Sequence, residues 1–471
     1  MKQENCDLGM IGLGVMGCNL VLNMAEHGFR IVGYDKDPSK VQALSDQAKG
    51  GAVSVATDLR SLFQSLRTPH VVMLLVPAGP PVDAVLADVM PYLRRGDIVI
   101  DGGNSHFSDT LLRLIKLEEN GIHLLGVGIS GGAEGARHGP SIMPGGARKA
   151  YERVRPIFEA IAAKAHGEPC VTYCGPGPAG HYVKMVHNGI EYGLMRLIAE
   201  SYSLMKRGLG LNDDELHAVF TEWNQTEMGG FLLEITADIF LKADEKTGKR
   251  LIDLIRPVAR QKGTGLWTSQ EAMELQVPVP TIDAAVAMRD LSVFDADRIA
   301  GSRVLKGPAD HINGARSTVL GELRNALHAA MVLTYAQGMA LLHAASEHHR
   351  YDLELEKIAR IWRGGCIIRS RLLEKIAAAF QSRPELSTLL LDSALARDLS
   401  NLQEDLRAAV EAFIKLGIPG SAFMASLAYY DTYRTARMAS NLIQAQRDYF
   451  GAHTYERIDA RGAFHTEWRA K

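Results

Sequence analysis

The stretch LGMIGLGVMG, at residues 8–17, decides the fold of the N-terminal part of the chain. Its apolar run predicts a buried strand, and Gly12, Gly14 and Gly17 form the pattern G-x-G-x-x-G at the start of a helix. In such a segment the three glycines allow a tight turn, the close approach of a pyrophosphate and close packing of helix on strand. Because a helix N-terminus also attracts phosphate, we interpret the stretch as a dinucleotide site rather than a plain turn.

Short apolar runs alternate with helical segments over the next hundred residues. Besides the run at Leu8–Gly12, strands are predicted at Arg30–Tyr34, Val71–Val76, Ile98–Asp101 and His123–Val127, and helices at Val15–Glu26 and Ser108–Glu119. Parallel strands joined by right-handed helical crossovers form a doubly wound sheet. We therefore predict an α/β Rossmann-like N-terminal domain over residues 1–178.

The character of the sequence changes after this point. From Ala179 onward the pattern is that of long amphipathic helices, and Ala329–Ser346 and Arg371–Phe380 are rich enough in Ala, Leu and Met to predict buried helices. We predict a large all-α domain over residues 179–440. The segment Gln446–Tyr455, QRDYFGAHTY, is aromatic and polar without core periodicity. We expect residues 441–471 to form a tail that packs on another surface.

Composition limits the classes of function. The 471 residues carry a formal net charge of only -2, so the bulk charge favours neither nucleic acid nor a membrane surface. No run approaches the ~20 apolar residues that span a bilayer, and the N-terminus lacks the pattern of a secretory signal. The five cysteines are few and odd in number, which predicts reduced thiols and no zinc site. We expect a cytoplasmic protein of two or three domains.

The residue that ends the second predicted strand bears on the choice of cofactor. Asp35 lies 18 residues after Gly17, the position at which a carboxylate binds the adenosine ribose. A carboxylate there accepts hydrogen bonds from the ribose hydroxyls and repels a 2′-phosphate. Lys36 partly offsets that repulsion, and Asp37 adds to it. The sequence favours NAD over NADP.

A polar stripe occupies the segment Lys184–Glu191, KMVHNGIE. Seven helical steps return almost to the same face with a rise of ~10.5 Å, so His187 and Asn188 share the face of the two end residues. A solvated face with a Lys–Glu pair is the ordinary interpretation of such a stripe. Gly189, however, costs ~1 kcal/mol inside a helix, which makes more sense where another group approaches the backbone closely.

Two glycine-rich loops follow predicted strands, at Asp101–Ser105 (DGGNS) and Ser130–Gly132 (SGG). Ligands of open α/β sheets bind beyond the carboxyl ends of the strands. Asn104, Ser130 and backbone N–H groups there are suited to a polyhydroxy carboxylate. Two tight turns without a ligand explain the loops equally well.

Six long motifs identify a family that the chain resembles. In chain order they read GLGVMG, DGGNSHFSDT, SGGAEGARHGPSIMPGG, GHYVKMVHNGIEYG, QKGTGLWT and QRDYFGAHTY. Together they closely resemble the decarboxylating 6-phosphogluconate dehydrogenases. The resemblance implies conversion of 6-phosphogluconate to ribulose 5-phosphate and CO2 with reduction of NAD(P)+. It also implies a homodimer, or a tetramer built from dimers, in which each tail reaches into the neighbouring subunit.

The resemblance assigns a role to each matched position. Lys184 is similar to the general base and later acid of the family, and Glu191 to its general acid. Residues that resemble contacts to the sugar-acid carboxylate and hydroxyls are Asn104, Ser130, Gly131, Gly132, His187 and Asn188. Residues that resemble contacts to the phosphate end are Tyr192, Lys262 and Arg289, completed by Arg447 and His453 of the tail. Positions similar to those around the dinucleotide are Gly12, Leu13, Gly14, Val15, Met16, Gly17, Asp35, Lys36, Asp37, Val76, Pro77, Ala78 and Asn104.

The chain departs from the family pattern beside the cofactor. Most members carry Asn-Arg-Thr after the second strand, where the arginine holds the 2′-phosphate of NADP, whereas this chain has Asp35, Lys36 and Asp37. Gly14 stands where alanine is common, and Pro77 where lysine or a similar residue is frequent. These differences leave the reaction untouched and put a preference for NADP in doubt.

The implied chemistry requires a neutral lysine. We expect the pKa of Lys184 to be lowered by desolvation or by the cations Lys262, Arg289 and Arg447. The ammonium group then takes the role of a Lewis acid, so no divalent metal is expected. Two other functions remain open at this point: a dehydrogenase for a small unphosphorylated β-hydroxy acid, and a non-catalytic dinucleotide sensor. The three cations speak against the first, and intact Lys184 and Glu191 against the second.

Overall fold

The N-terminal part of the chain is built on one sheet. The computed structural model describes residues 6–48, 51–308 and 315–469. Seven strands pair in the order β3-β2-β1-β4-β5-β6-β7. In chain order, β1 to β7 are Leu8–Ile11, Ile31–Tyr34, Val53–Val55, Val71–Leu74, Ile98–Asp101, His123–Ser130 and Ser141–Gly146. The neighbouring pairs from β3 to β6 are parallel, which confirms the predicted doubly wound sheet.

Two strands of this sheet, β3 and β7, were not predicted. β7 runs antiparallel to β6, with Ser130 opposite Ser141 in the register. Only ten residues separate the two strands, and a parallel crossover needs about a dozen or more. β7 therefore returns along β6 and closes the edge of the sheet.

Helices cover the sheet and its edge. In chain order, α1 to α7 are Val15–Glu26, Pro38–Gln47, Leu59–Ser65, Pro80–Val89, Phe107–Glu118, Gly132–His138 and Arg148–Ile161. The strand Val71–Leu74 is buried at all four positions, as expected of a strand covered on both faces. A small hairpin follows, formed by β8 (Lys164–Ala165) and β9 (Glu168–Pro169).

Beyond this hairpin the chain is helical, as predicted. In chain order, α8 to α18 are Ala179–Ser203, Asp213–Asn224, Phe231–Leu241, Thr264–Glu274, Pro280–Val293, Asp295–Val304, Arg316–His349, Leu355–Ile361, Leu372–Ser382, Ser393–Leu416 and Ser421–Tyr433. The long helix α14 packs against α8 and α17, and its apolar residues form one core with those helices. Among the described residues, none of the helices is both long and apolar enough to span a membrane.

The tail contains a helix that was not predicted. This helix, α19, covers Ser440–Gly451, and a hairpin of β10 (Tyr455–Glu456) and β11 (Ala463–Phe464) follows it. The apolar side chains of Leu442, Ile443 and Phe450 are exposed. Among the described residues, no part of the chain covers this apolar surface of the tail.

Candidate active site

The glycine pattern forms a cradle at the N-terminus of α1. A β-carbon at Gly12 would lie 2.4 Å from the Leu75 carbonyl oxygen, and one at Gly17 would lie 2.0 Å from the Gly12 carbonyl oxygen. Gly12 also has a φ of 101°, which side chains rarely adopt. A β-carbon at Gly14, in contrast, would meet nothing within 4 Å. The first and third glycines are therefore required by the fold, and the second leaves room for a phosphate at the helix N-terminus.

Asp35 is fixed against this cradle. Its carboxylate accepts a hydrogen bond from the Leu13 backbone N–H at 2.7 Å, and Lys40 lies 3.6 Å from the same oxygen. Lys36, the next residue along the chain, does not pair with Asp35 but with Asp88 of α4, at 2.8 Å. Asp37 caps α2 and accepts hydrogen bonds from Ser39. The edge where the adenosine ribose is predicted to bind therefore carries a fixed carboxylate.

The other predicted loops lie along the same edge of the sheet. The segment 76–78 follows β4, and a β-carbon at Gly103 would lie 3.2 Å from the Val76 carbonyl oxygen. Buried Asp101 organises the next loop, because it accepts hydrogen bonds from Ser105 Oγ at 2.7 Å and the Gly103 N–H at 3.1 Å. Asn104, the tip of this loop, is exposed. The carboxyl ends of β1, β4 and β5 thus face one common space.

The polar stripe of α8 is buried rather than solvated. Lys184 is 6% exposed, and His187 and Asn188 are buried with it. Lys184 Nζ lies 3.4 Å from His187 Nδ1, which also contacts Asn188 Oδ1 at 3.0 Å. The other ring nitrogen of His187 lies 3.2 Å from Ser130 Oγ, and a Glu191 oxygen lies 3.9 Å from Nδ1. The stripe and the Ser130–Gly132 loop therefore form one site.

Glycines on the sheet place α8 at this depth. A β-carbon at Gly128 would lie 2.4 Å from Lys184 Cβ, and one at Gly126 would lie 3.0 Å from His181 Nδ1. A β-carbon at Gly145 of β7 would lie 2.2 Å from the Gly180 nitrogen. The alternate glycines of β6 thus leave no side chain on the sheet at the point where α8 crosses it. This signal is visible in the sequence HLLGVGIS, and sequence reasoning missed it.

Burial sets the charge state of the site. It lowers the pKa of Lys184 against the opposing attraction of Glu191, and it raises the pKa of Glu191 against the opposing effects of Lys184 and Arg289. Burial, reinforced by Lys184, holds the pKa of His187 well below its usual range. Of the two causes expected to lower the pKa of Lys184, desolvation acts within one chain, whereas Arg289 lowers the pKa of Glu191.

The predicted phosphate end is only partly assembled within one chain. Tyr192 is the residue after Glu191 on α8. The guanidinium carbon of Arg289 lies 3.5 Å from the centre of its ring. Lys262 is exposed in the loop before α11. Arg447 and His453 are exposed on the tail, and their contacts among the described residues are to the tail itself.

Three side chains of the site were not predicted. The Trp362 ring meets the His187 ring edge-on at 5.6 Å between centroids. The buried Cys366 thiol donates to the Trp362 carbonyl oxygen at 3.0 Å, and burial raises its pKa to about 12. Thr268 of α11 packs on Gly189. A lone Trp, Cys or Thr far along the chain carries no sequence signal for such a contact.

The Ser130–Gly132 loop is open on the side of Gly132. A β-carbon at Gly131 would lie 2.6 Å from the Gly365 carbonyl oxygen, whereas one at Gly132 would meet nothing within 4 Å. Both glycines have positive φ, at 112° and 63°. The loop is thus held by the helical domain on one side and leaves its next residue free to approach a ligand.

Gly189 provides a test of this packing. Its β-carbon would lie 2.5 Å from Thr268 Cγ2, so Gly189→Ala is expected to lower the free energy of unfolding by ~1–2 kcal/mol through overpacking, despite a helix propensity gain of ~1 kcal/mol. The matched control is Gly321→Ala in α14, where nothing lies within 4 Å and a gain of ~0.5–1 kcal/mol is expected. Urea unfolding measures both, and equal gains would contradict the close approach of Thr268.

Known proteins match the chain over nearly its whole length. Residues 7–175 match the NAD binding domain of 6-phosphogluconate dehydrogenase, and residues 180–468 match the 6-phosphogluconate dehydrogenase C-terminal domain. The chain is 50% identical over 462 residues to the NADP(+)-dependent, decarboxylating 6-phosphogluconate dehydrogenase of Bacillus subtilis, and 47% identical over 462 residues to the decarboxylating enzyme of Escherichia coli, with 98% of each chain covered in both comparisons.

A solved structure extends this likeness to the fold. The Plasmodium falciparum 6-phosphogluconate dehydrogenase, described in its apo form, with NADP+ and with 6-phosphogluconate, is 43% identical and superimposes with a TM-score of 0.95. The match covers 98% of this chain and 100% of that one. The chain therefore belongs to the decarboxylating 6-phosphogluconate dehydrogenase family of oxidoreductases.

Proposed function

We propose that this protein converts 6-phosphogluconate to ribulose 5-phosphate and CO2, with NAD+ as its favoured oxidant. Lys184 serves as general base and later acid, and Glu191 as general acid. The single observation that carries this proposal is the buried stripe, in which the pKa of Lys184 is lowered and that of Glu191 is raised. A lysine that is easily neutral and a carboxyl group that is easily protonated are the base and acid that the reaction needs.

The dinucleotide fits the cradle on α1. Gly14 leaves open space at the helix N-terminus, and Asp35 is fixed beside it. When bound, the nicotinamide accepts the hydride that leaves C3 of the sugar acid. Asn104, at the exposed tip of the loop after β5, would bind the substrate and border the nicotinamide.

The residues of the stripe divide the proton transfers between them. Neutral Lys184 takes the proton of the C3 hydroxyl as hydride leaves C3, which gives a 3-keto acid. Loss of CO2 from this β-keto acid places charge on the C3 oxygen, and protonated Lys184 stabilises it. Glu191 then donates a proton to C2 of the former sugar acid, the carbon that becomes C1 of ribulose 5-phosphate. His187, held neutral, and Asn188 orient the carboxylate and hydroxyls together with the Ser130–Gly132 loop.

The experiment that tests this function follows absorbance at 340 nm with 6-phosphogluconate and each dinucleotide, with CO2 measured in parallel. We expect equal amounts of reduced dinucleotide and CO2. Unphosphorylated gluconate is the matched control substrate, and we expect a much lower kcat/KM for it because Arg289 and Lys262 then lack an anion to bind. Equal kcat/KM for the two acids would favour a dehydrogenase for small unphosphorylated acids instead.

The preference for NAD+ rests on residues 35–37 of this chain, since the Bacillus subtilis and Plasmodium falciparum relatives are described with NADP+. We expect Asp35→Asn to raise the ratio of kcat/KM for NADP+ to that for NAD+ by about tenfold, because it removes a like charge from the 2′-phosphate position. The control Asp46→Asn removes an exposed carboxylate of α2 that Gln42 contacts, and it is expected to leave the ratio unchanged. A ratio that is indifferent to Asp35 would contradict its role in selection.

The tail supports a dimeric enzyme. Its helix α19 exposes Leu442, Ile443 and Phe450, and α12 and α13 expose further apolar side chains such as Val293 and Val304. Such surface is costly in water and is typical of an interface. We propose a homodimer in which the tail of one subunit brings Arg447 and His453 to the phosphate end of the other. Light scattering tests the dimer directly.

A further inference from the structure

Asp448 stands apart from the rest of α19. The flanking residues Arg447 and Tyr449 are exposed, whereas Asp448 has no exposed surface. A buried carboxylate in a segment without its own apolar core needs polar partners to compensate for lost water. The proposed reaction gives this group no role.

Four donors surround the carboxylate. Oδ1 accepts hydrogen bonds from the Thr454 backbone N–H at 3.0 Å and from His465 Nδ1 at 2.9 Å. Oδ2 accepts from the Thr466 N–H at 3.0 Å and from Trp468 Nε1 at 2.8 Å. These donors lie on both sides of the β10–β11 hairpin. One side chain therefore joins the helix, the turn after it and the end of the chain.

His465 also lies 3.9 Å from Glu467 through its second ring nitrogen. Burial opposes ionisation of Asp448, but the hydrogen bonds from His465, Trp468 and Thr466 outweigh it and lower its pKa to about 2. The group is thus a carboxylate, able to accept all four bonds, at any pH where the enzyme is assayed.

The turn that Asp448 holds has an unusual backbone. Ala452 and Thr454 have φ values of 49° and 59°, in the left-handed region that residues other than glycine rarely adopt. The Ala452 N–H donates to the Asp448 carbonyl oxygen at 2.9 Å, and the Thr454 N–H donates to its side chain. His453 lies between these two residues, and its ring covers Gly451, where a β-carbon would lie 2.7 Å from Nε2. The position of the His453 ring therefore depends on this turn.

We propose that Asp448 is a positioning residue that holds the left-handed turn of the tail, so that His453 is presented beside Arg447 to the phosphate group bound in the neighbouring subunit. The inference rests on the proposed function, in which these two tail residues complete the phosphate end of the site. Asp448 itself touches neither substrate nor cofactor. It acts through the backbone of Ala452 and Thr454.

The variant Asp448→Asn keeps the size of the side chain and replaces one accepting oxygen by a donor. We expect kcat/KM for 6-phosphogluconate to fall about tenfold, while kcat/KM for unphosphorylated gluconate stays within about twofold. The matched control is Asp459→Asn, which removes a tail carboxylate that pairs with Arg457 away from the turn. The control is expected to leave both values unchanged.

A second variant separates positioning from simple loss of the tail. Adding Ala452→Gly to Asp448→Asn relieves the left-handed strain, and it is expected to recover about threefold of the lost kcat/KM for 6-phosphogluconate. The oligomeric mass, measured by light scattering, is expected to equal that of the wild type in every variant. An unchanged discrimination between the two acids in Asp448→Asn would overturn the proposal. The proposal would also be overturned if Asp448→Asn dissociated the subunits and Ala452→Gly did not restore kcat/KM for 6-phosphogluconate.

The failure of the proposed function would look different. In that case the wild-type enzyme would not oxidise 6-phosphogluconate, or Arg447→Ala would leave its preference for the phosphorylated acid intact. A wild type that works and an Arg447→Ala variant that loses the preference establish the function. The Asp448→Asn result then bears on the positioning role alone.

Discussion

Replacing Lys184 by methionine is expected to lower kcat by about 10³-fold, because the side chain keeps its length but loses the group that accepts the C3 proton. Binding of the dinucleotide is expected to stay within about twofold of the wild-type Kd, since the cradle at Gly12–Gly17 lies on another element. Stopped assays of 6-phosphogluconate oxidation and fluorescence titration of the dinucleotide measure the two quantities. A variant with more than a tenth of the wild-type kcat would remove Lys184 from the role of base.

The control for this variant is Lys206→Met. Lys206 lies one turn beyond the end of α8 and pairs with Asp213 at 2.6 Å, outside the site. Its loss is expected to leave kcat unchanged. A loss of kcat in Lys184→Met alone would show that the effect is specific to the ammonium group of Lys184 and does not follow from removing any lysine of this region.

Lys184 also predicts a pH dependence. Only the neutral amine accepts a proton, and burial lowers the pKa of Lys184 from 10.5. The acidic limb of the kcat/KM profile is therefore expected below pH 10.5. This limb is expected to vanish from the residual activity of Lys184→Met. Because Lys184 and Glu191 interact, the limbs belong to the pair rather than to either group alone.

Replacing Glu191 by glutamine is expected to lower kcat by about 10²-fold or more, because the enediol then lacks its proton donor at C1. The decisive measurement is the reaction in D2O. The wild type is expected to place solvent deuterium in one of the two C1 positions of ribulose 5-phosphate, since Glu191 reaches one face. The variant is expected to scramble the two positions, and retained stereospecificity at C1 would assign the acid role to another group.

The charge state of Glu191 supports this role. Burial raises its pKa from 4.5, while Lys184 and Arg289 oppose the shift, so the protonated acid persists to higher pH than for an exposed glutamate. The control Glu222→Gln removes an exposed carboxylate of α9. It is expected to change neither kcat nor the deuterium pattern.

Local rules of chain geometry were sufficient for several predictions. The glycine pattern and the buried run Val71–Leu74 follow from the requirements of a parallel sheet, and the structure confirms both. The common face of Lys184 and Glu191 follows from 3.6 residues per turn. Gly189 signalled a close approach, and Thr268 is the group that makes it.

Other features required contacts between segments far apart in the chain. The direction of β7 depends on the length of its connection to β6, and its pairing was not read from the sequence. Trp362 and Cys366 reach the stripe from nearly 180 residues away along the chain. The fold of the tail depends on Asp448, whose four donors span residues 454–468.

The sequence by itself determined which groups share a helix face, which glycines lie at the N-terminus of α1, and that Asp35 follows the second strand. These depend on backbone periodicity and residue spacing, which are local properties. Only the tertiary structure decided that the polar stripe of α8 is buried. Gly126 and Gly128 let α8 lie close against the sheet, and the resulting burial lowers the pKa of Lys184.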